Sequence, residues 1–454
     1  MNSSEWCMRR RGSVLLVFLV CLSGVMGFRD LKSSAKQKIF RPNVCESDQH
    51  GMEAKIVCYC TTPGNKTADC WVNVHDLFEY DQTWSGFAIN SDIRHLILTM
   101  APNGQLNYLP LRALQYLHNL RSFSMSSASI PVIKAHSFSF LSQLDTISLI
   151  NNQIVTLENY AFADLSRLRT LNMSFNQITF LDRNVFHKCR NLEVLYLSAN
   201  NISSILDGAF NNLEKLDILR LDYNFISIIT PETFRGLDNL STLGLIANYI
   251  TALEDNTFDN VRNLIYLDLR QNGIQSISPR TFTGLTKLQY LNLEQNELKM
   301  LDSFIVQGLP NLMYFNLAKN QLTTFLLDEQ SSLYSRFQKE TTLFYLNDNN
   351  LVCDCRLNWV FSLFGSTKSP IFREALNSLQ CELIQRDRTD FVYLIRMNLD
   401  ELPCEYFHST TEALVVEYRP HHHTLHRPYY PNSAATPLLS AVIFIFVTLT
   451  LILY

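Results

Sequence analysis

A strict 24-residue repeat of asparagine is the feature that most constrains how this chain can fold. The asparagines stand at the same point of eight successive units, and a leucine precedes each one by eight residues, as Leu264 precedes Asn272. The eight are Asn152, Asn176, Asn200, Asn224, Asn248, Asn272, Asn296 and Asn320. A fixed period of this length marks a chain that stacks copies of one small structural unit. The sequence therefore predicts a solenoid, and it directs the search for function to a repeated surface.

The unit at 264–287 shows what each copy contributes. Leu267 and Leu269 alternate with Tyr266, Asp268 and Arg270, which indicates a short strand with one buried face. The chain must then turn sharply, and an asparagine amide can satisfy the inward-facing N–H and C=O groups of such a turn. The second half of the unit carries a phenylalanine that we expect to point into the core. That phenylalanine also repeats every 24 residues, at Phe138, Phe162, Phe186, Phe210, Phe234, Phe258 and Phe282.

These units resemble the leucine-rich repeats of extracellular proteins. The resemblance implies an α/β-type solenoid, a horseshoe with a curved parallel β-sheet on its concave face and a disulfide cap at each end. We count about eleven units over 93–352, which start at Ile93, at Leu120 and every 24 residues to Leu312, and finally at Thr341. The tenth unit carries five extra residues within 327–341. One unit cannot bury its apolar side alone, so the leucine, asparagine and phenylalanine columns are expected to be structural.

Eight of the eleven cysteines form two clusters that flank the repeats. Open solenoid ends would expose the core, so we interpret 45–92 and 353–404 as cysteine-rich caps. Spacing alone allows three pairings in each group of four, and zinc ligation is the alternative to disulfides. The family resemblance implies the pairs Cys45–Cys60, Cys58–Cys70, Cys353–Cys381 and Cys355–Cys404.

Cys189 stands apart from both clusters. It occupies a slot that neighbouring units fill with Leu165, Leu213 and Leu237. A free thiol behaves as a small apolar side chain, so a buried core position explains it. A reactive or intermolecular thiol is the alternative.

Both ends of the chain carry processing signals. Residues 1–27 combine arginines, an apolar run from Val14 to Leu22 and then small residues at Val25 and Gly27, which predicts a signal peptide cleaved after Gly27. An N-terminal extension, 28–44, would follow. Because secreted chains pass through an oxidising compartment, disulfides persist there.

Beyond the second cysteine cluster, 405–435 has no periodicity and includes the histidines 421–423, which we interpret as a solvated stalk rather than a metal site. The tail 436–454 is apolar and uncharged, and small residues precede it. This arrangement resembles a glycolipid attachment signal, with attachment near Asn432 or Ser433. A single transmembrane span is the alternative. The predicted location is the extracellular face of the plasma membrane, with free secretion as the second choice.

Outward strand positions are free to serve a partner, and here they are rich in tyrosine. Tyr266, Tyr290 and Tyr314 share one slot in three successive units, so their rings should form a continuous strip at a spacing of about 4.8 Å. Exposed tyrosine with arginine is typical of interface hot spots. The alternative is that stacked tyrosines only support each other as strand formers. The remaining candidates for partner binding are Tyr196, Tyr223, Arg220 and Arg270.

Four N-glycosylation sequons of the predicted mature chain restrict the available surface. They begin at Asn65, Asn172, Asn201 and Asn239. A glycan at Asn172, in an outward strand slot, would crowd the N-terminal half of the concave face. The sequons therefore favour a partner on the C-terminal half, where the tyrosines lie.

Charge and motifs limit the classes of function. The formal net charge is −4, from 38 basic and 42 acidic residues, which does not favour nucleic acid as a partner. The sequence carries no nucleophile elbow, zinc-protease motif or phosphate loop, so we predict neither an enzyme nor a cofactor. The predicted function is adhesion or co-receptor binding of an extracellular or cell-surface protein, which could be a second copy of this chain. A secreted matrix protein, immune recognition of a microbial ligand and an enzyme inhibitor are the alternatives.

Overall fold

The computed structural model describes residues 43–46, 54–61, 66–339, 342–385, 388–399 and 402. Several predicted features lie outside these residues. They are the signal peptide 1–27, most of the 28–44 extension, the sequon asparagine Asn65, the Cys404 partner predicted for Cys355, the stalk 405–435, the lipid sites Asn432 and Ser433, and the tail 436–454.

One thirteen-stranded sheet runs through the described chain. Its first two strands are antiparallel, and every later pair is parallel. From Ser122 to Asn316 the paired residues lie 24 apart, as with Leu243 and Leu267, so the sequence period is the strand register. The strands are Ile56–Cys60, Lys66–Val72, Ile93–Met100, Ser122–Ser126, Thr146–Ser148, Thr170–Asn172, Val194–Tyr196, Ile218–Arg220, Thr242–Gly244, Tyr266–Asp268, Tyr290–Asn292, Tyr314–Asn316 and Leu343–Tyr345. We call the outward side of this sheet the sheet face.

The core lies between the sheet and the returning half of each unit. The inward strand leucines, such as Leu219, Leu243 and Leu267, are fully buried. All seven phenylalanines of the repeating column are also buried, and neighbours such as Phe258 and Phe282 stack at 5.8 Å between ring centroids. Each ring is thus covered by the units on either side of it, which is why no unit folds without neighbours.

The asparagine column forms a hydrogen-bonded ladder, as the sequence predicts. Asn224 Oδ1 accepts the Ile202 N–H at 3.0 Å, and Asn224 Nδ2 donates to the carbonyls of Leu197 and Leu221, each at 3.0 Å. One amide therefore joins two successive units. Asn349 makes the same contacts in the last unit, although 29 residues separate it from Asn320. The amide of Asn272 is only partly buried.

The residue before each ladder asparagine has a left-handed backbone, which costs a non-glycine residue about 1–2 kcal/mol. The ladder hydrogen bonds offset that cost at every rung. These residues are Asn151, Phe175, Ala199, Tyr223, Ala247, Gln271, Gln295, Lys319 and Asp348, with φ between 51° and 59°.

The returning halves are short and varied. Pairs of two-residue strands join some units: Val132–Ile133 with Thr156–Leu157, Phe180–Leu181 with Ser204–Ile205, and Ala252–Leu253 with Ser276–Ile277. Returning halves also contain 3-10 turns at Pro231–Phe234 and Asp259–Val261 and the helices α1 (Leu111–Leu114), α2 (Ser303–Gln307) and α3 (Ser332–Phe337). A further 3-10 turn, Gln82–Ala88, precedes the first unit. α3 lies within 327–341, the stretch where the five extra residues are predicted.

Disulfides are present in both cysteine-rich segments. Cys45–Cys60 ties the residues before the first strand to the end of that strand, and Cys58–Cys70 joins the first two strands. Cys353–Cys381 closes a loop within the C-terminal segment. These are three of the pairs that the resemblance implies. Since disulfide sulfurs are not thiolates, the zinc alternative is wrong for the N-terminal cluster.

The C-terminal segment covers the end of the core with α4 (Asn358–Ser366) and α5 (Pro370–Asn377). Trp359 of α4 is buried, and its indole N–H donates to the Phe325 carbonyl at 2.8 Å. An antiparallel hairpin, Gln380–Gln385 with Arg388–Tyr393, and the 3-10 turns Cys355–Leu357 and Leu394–Arg396 complete the segment.

Cys189 is fully buried, and its thiol donates to the Phe162 carbonyl at 2.8 Å. Burial raises the pKa of the Cys189 thiol to about 12. The thiol is thus protonated at neutral pH, and the prediction of a core position is confirmed.

Candidate functional site

The three repeat-register tyrosines form one stack on the sheet face. Tyr266, Tyr290 and Tyr314 are successive Cα partners in the sheet. Their ring centroids lie 4.1 and 4.2 Å apart, with interplanar angles of 12° and 8°. Each ring is half-buried, so the edges face outward while the faces pack on each other. We call Tyr266, Tyr290 and Tyr314 the tyrosine strip.

Hydrogen bonds orient the strip along the sheet. The Tyr266 hydroxyl donates to Asp268 Oδ2 at 3.0 Å, and the amides of Asn292 and Asn316 donate to the hydroxyls of Tyr290 and Tyr314 at 3.2 Å. Each partner lies two residues further along the same strand, where its side chain projects to the same face.

The strip also changes the acidity of its own phenols. Burial raises the pKa of Tyr290 and of Tyr314 to about 12, and hydrogen bonds between neighbouring hydroxyls act in the same direction. The strip is therefore a neutral, hydrogen-bonded surface at physiological pH.

Gly244 has no side chain, and this leaves the space in which the Arg220 side chain reaches the tyrosine strip. Arg220, Gly244 and Asp268 are successive Cα partners. A Cβ on Gly244 would lie 2.8 Å from Arg220 Cδ and 2.5 Å from Asp222 Oδ1. Because glycine leaves this space empty, Arg220 crosses the Gly244 strand and places its guanidinium 5.2 Å from the centroid of Tyr266. The contact is a cation–π interaction on the first ring of the strip.

Two buried carboxylates hold the arginines in place. Asp268 is fully buried and lies 3.6 Å from Arg270, while Asp222 lies 3.9 Å from Arg220. Each carboxylate also accepts a backbone N–H, Asp222 from Ile246 at 3.0 Å and Asp268 from Arg270 at 3.2 Å. Burial raises the pKa of both carboxyls, and the arginines oppose that rise.

Tyr345, in the last repeat unit, extends the aromatic surface beyond Tyr314. The sequence analysis missed this residue. Its ring lies 5.7 Å from that of Tyr314, tilted by 50°. Tyr345 also lines a cleft of about 580 Å³ between the last strand and α5, together with Pro370, Ile371 and Glu374. The signal was hidden because the repeat slot in that unit holds Leu343, and Tyr345 stands two residues later.

The other predicted binding residues lie apart from the strip. Tyr196 lies on the same face, three strands before the strand of Tyr266, in the column of Arg220. Tyr223 follows the carboxyl end of the strand Ile218–Arg220. It is 57% exposed and has the left-handed backbone described above. The structure thus brings Arg220 and Arg270 to the strip and leaves both of these tyrosines outside it.

The described sequons are exposed to different degrees. Asn201 and Asn239 are exposed, whereas Asn172 is half-buried on the sheet face and accepts the Ser174 N–H at 3.0 Å. Asn172 is the Cα partner of Tyr196, so a glycan there would lie beside that ring and far from the strip.

Among residues 43–402 as far as the structure describes them, no helix is long and apolar enough to cross a bilayer. No group of three or more histidine, cysteine or acidic side chains in those residues is arranged to hold a metal ion.

The register, the asparagine ladder and the flanking disulfides define a leucine-rich-repeat protein. A family model for the leucine rich repeat matches residues 118–178, 142–202, 190–249 and 238–298, all within the solenoid. The chain therefore carries leucine-rich repeats in a parallel β-sheet solenoid, with disulfide-bonded segments near both ends.

Its relatives include a Drosophila melanogaster protein, Connectin. It is 35% identical over 91 residues, which are 19% of this chain and 13% of Connectin. The aligned segment is thus a small part of that relative.

Two solved structures share the fold at low sequence identity. A chain of the Drosophila Toll–Spatzle complex has a TM-score of 0.52 and 19% identity, covering 68% of this chain and 48% of that one. A chain of the octameric complex of Latrophilin 3, Unc5D and FLRT2 has a TM-score of 0.52 and 20% identity, covering 70% of this chain and 85% of that one.

Proposed function

We propose that this protein is a cell-surface receptor or adhesion protein that binds an extracellular protein through the tyrosine strip. The observation that carries the proposal is the face-to-face stack of Tyr266, Tyr290 and Tyr314 at 4.1 and 4.2 Å, with Arg220 on its first ring. Tyrosine and arginine are the residues most enriched at interface hot spots.

The strip has the rigidity that favours binding. Its hydroxyls are hydrogen-bonded to Asp268, Asn292 and Asn316, so little side-chain freedom remains to be lost when a partner docks. Immobilising one flexible side chain at an interface costs about 0.5–1.5 kcal/mol. A preordered strip avoids most of that cost, and its ring edges offer both apolar area and polar groups to a protein surface.

The mixed charge around the strip supports a protein partner over a nucleic acid. Arg220 and Arg270 are each paired with a buried carboxylate, and Lys319 pairs with Glu294 at 2.8 Å. These three cations are thus each paired with a carboxylate, whereas phosphate-backbone binding draws on several cations that are free to contact phosphates. We therefore place no nucleic acid, catalytic step or cofactor in the proposed function.

Structural neighbours support the choice of a protein ligand. The matched structures are those of complexes, one of Toll with Spatzle and one of Latrophilin 3, Unc5D and FLRT2. The Toll complex is described as a hub in development and innate immunity, which is the support for immune recognition as the alternative function.

The binding proposal is tested by replacing the strip. The full chain carrying Tyr266→Ala, Tyr290→Ala and Tyr314→Ala should lose binding in a screen of multimeric extracellular proteins that includes this chain itself. A matched control replaces Thr146, Thr170 and Thr242 with Ala, since these fill the same strand slot in other units. Retained binding by the tyrosine triple variant with an unchanged melting temperature would place the contact elsewhere.

We further propose that the chain is attached to the outer face of the plasma membrane through a glycolipid joined near Asn432 or Ser433. A phosphatidylinositol-specific lipase should release the full chain from intact cells. Resistance to the lipase together with extraction only by detergent would indicate a transmembrane span instead. Recovery in the culture medium without treatment would favour a secreted matrix protein.

A further inference from the structure

One edge of the solenoid carries two exposed aromatic rings in register with a sequon. The backbone N–H groups of Asn201, Phe225 and Tyr249 make equivalent bonds to the preceding unit: to Ile178 O at 3.0 Å, to Ile202 O at 2.9 Å and to Ile226 O at 2.9 Å, respectively. The three residues therefore occupy the same position in three successive units.

The two rings form a parallel stack that is left open on one side. Phe225 and Tyr249 are 43% and 57% exposed, and their ring centroids lie 5.5 Å apart at an interplanar angle of 7°. Tyr249 covers one face of Phe225. Because Asn201, Phe225 and Tyr249 follow each other in register, the other face of Phe225 lies on the side of the unit that carries Asn201, and Asn201 is exposed.

The same pairing of a sequon with an aromatic ring occurs on the sheet face. Asn172 is the Cα partner of Tyr196, 24 residues further along the chain. The Asn239 sequon differs, because the residue 24 positions later is Asn263. Both Asn239 and Asn263 use their side-chain amides to donate to the preceding unit, at 2.6 Å to Glu214 O and Asp238 O.

We propose that the N-linked glycan of Asn201 packs its first N-acetylglucosamine on the open face of Phe225, so that the Phe225–Tyr249 stack is a platform for the chain's own sugar. The inference rests on the proposed function, because both require that the chain pass through the secretory route. Oligosaccharide transfer from a lipid diphosphate carrier forms a bond between Asn201 Nδ2 and the sugar C1. The amide loses one proton, and the lipid diphosphate leaves.

The geometry suits this occupant. A pyranose ring has an apolar face of C–H groups, which can pack on an aromatic ring at the distance of one unit. The glycan is covalently fixed one unit away from Phe225, so its encounter with the ring needs no free partner. Packing would remove apolar ring area from water at a place where the fold leaves it exposed.

A double-mutant cycle in the full chain, expressed through the secretory route, tests the contact. Ser203→Ala removes the sequon but keeps Asn201, and Phe225→Leu removes the ring but keeps an apolar side chain. We expect Ser203→Ala to lower the melting temperature by about 1–2 °C in the wild-type background and to have no effect in the Phe225→Leu background. Equal shifts in both backgrounds would overturn the proposal.

The second measurement is the rate at which a peptide N-glycosidase releases each glycan from the folded protein. We expect slower release at Asn201 than at Asn239, and a several-fold acceleration at Asn201 alone when Phe225 is replaced by Leu or Ala. Asn239 is the matched control because no aromatic ring occupies the equivalent position of its next unit. An unchanged rate at Asn201 in both Phe225 variants would refute the contact.

Site occupancy by mass spectrometry separates the two proposals. If Asn239 is glycosylated and Asn201 is empty, the platform is wrong and the cell-surface function stands. If no sequon is occupied, the platform is wrong, and the cell-surface function is decided separately by the lipase release and by the tyrosine triple variant.

Discussion

Replacing Gly244 with alanine should disrupt the approach of Arg220 to the tyrosine strip. The new Cβ would lie 2.5 Å from Asp222 Oδ1 and 2.8 Å from Arg220 Cδ, so both side chains must move. Displacing Asp222 leaves the buried Ile246 N–H without its acceptor, at a cost of about 1–3 kcal/mol. Displacing Arg220 removes a cation–π contact worth about 0.5–2 kcal/mol.

A gain in the unfolded state partly offsets these losses. Alanine restricts the unfolded chain more than glycine does, which stabilises a fold by about 0.4–1 kcal/mol where the backbone permits it. We therefore expect Gly244→Ala to lower the free energy of unfolding by about 1–3 kcal/mol, since the displaced side chains can partly relax.

The measurement is equilibrium denaturation with the disulfides intact, and Gly273→Ala is the matched control. Its added Cβ would meet only Thr251 Cγ2, at 3.9 Å, so this variant should match the wild type or exceed it by up to about 1 kcal/mol. If the two variants were equally stable, the space above Gly244 would not be needed by Arg220 and Asp222. The proposed route of the Arg220 side chain to Tyr266 would then be wrong.

Two further predictions concern the ladder and the buried acid. Asn224→Ala should lower the free energy of unfolding by about 1–3 kcal/mol, because the buried Ile202 N–H loses its acceptor and the Leu197 carbonyl loses one of its two amide donors; unaltered denaturation would contradict the ladder. Asp268 has a raised pKa, chiefly through burial, so the folded state holds a proton at a pH where the unfolded chain has released it. The melting temperature of the wild type relative to Asp268→Asn should therefore rise as the pH falls from 7 toward about 4, and a difference that falls or stays flat would refute the assignment.

The fold could be read from the sequence because its determinants are local and periodic. The 24-residue spacing of Asn152 and Asn176 is also the spacing of hydrogen-bonded neighbours, so sequence distance maps directly onto spatial distance. The same logic placed Tyr266, Tyr290 and Tyr314 in one column, and it placed Cys189 in the core.

Other parts of the site depend on contacts that skip a unit or break the period. Arg220 reaches Tyr266 across an intervening strand, and that reach depends on the missing side chain of Gly244. Tyr345 joins the strip from a different slot, after a unit lengthened by an insertion. Each of these contacts depends on residues of more than one unit. The sequence of a single repeat therefore cannot predict it.

What the sequence determined by itself is the stacked architecture, because a regular repeat admits one pairing of each unit with its neighbours. What only the tertiary structure decided is which outward residues meet. The Phe225–Tyr249 stack and the Arg220 contact join side chains from different units. The cleft at Ile371 joins the last unit to α5. Their reach and direction depend on the packing around them, since the repeat specifies the backbone register and leaves the outward rotamers to local space and charge.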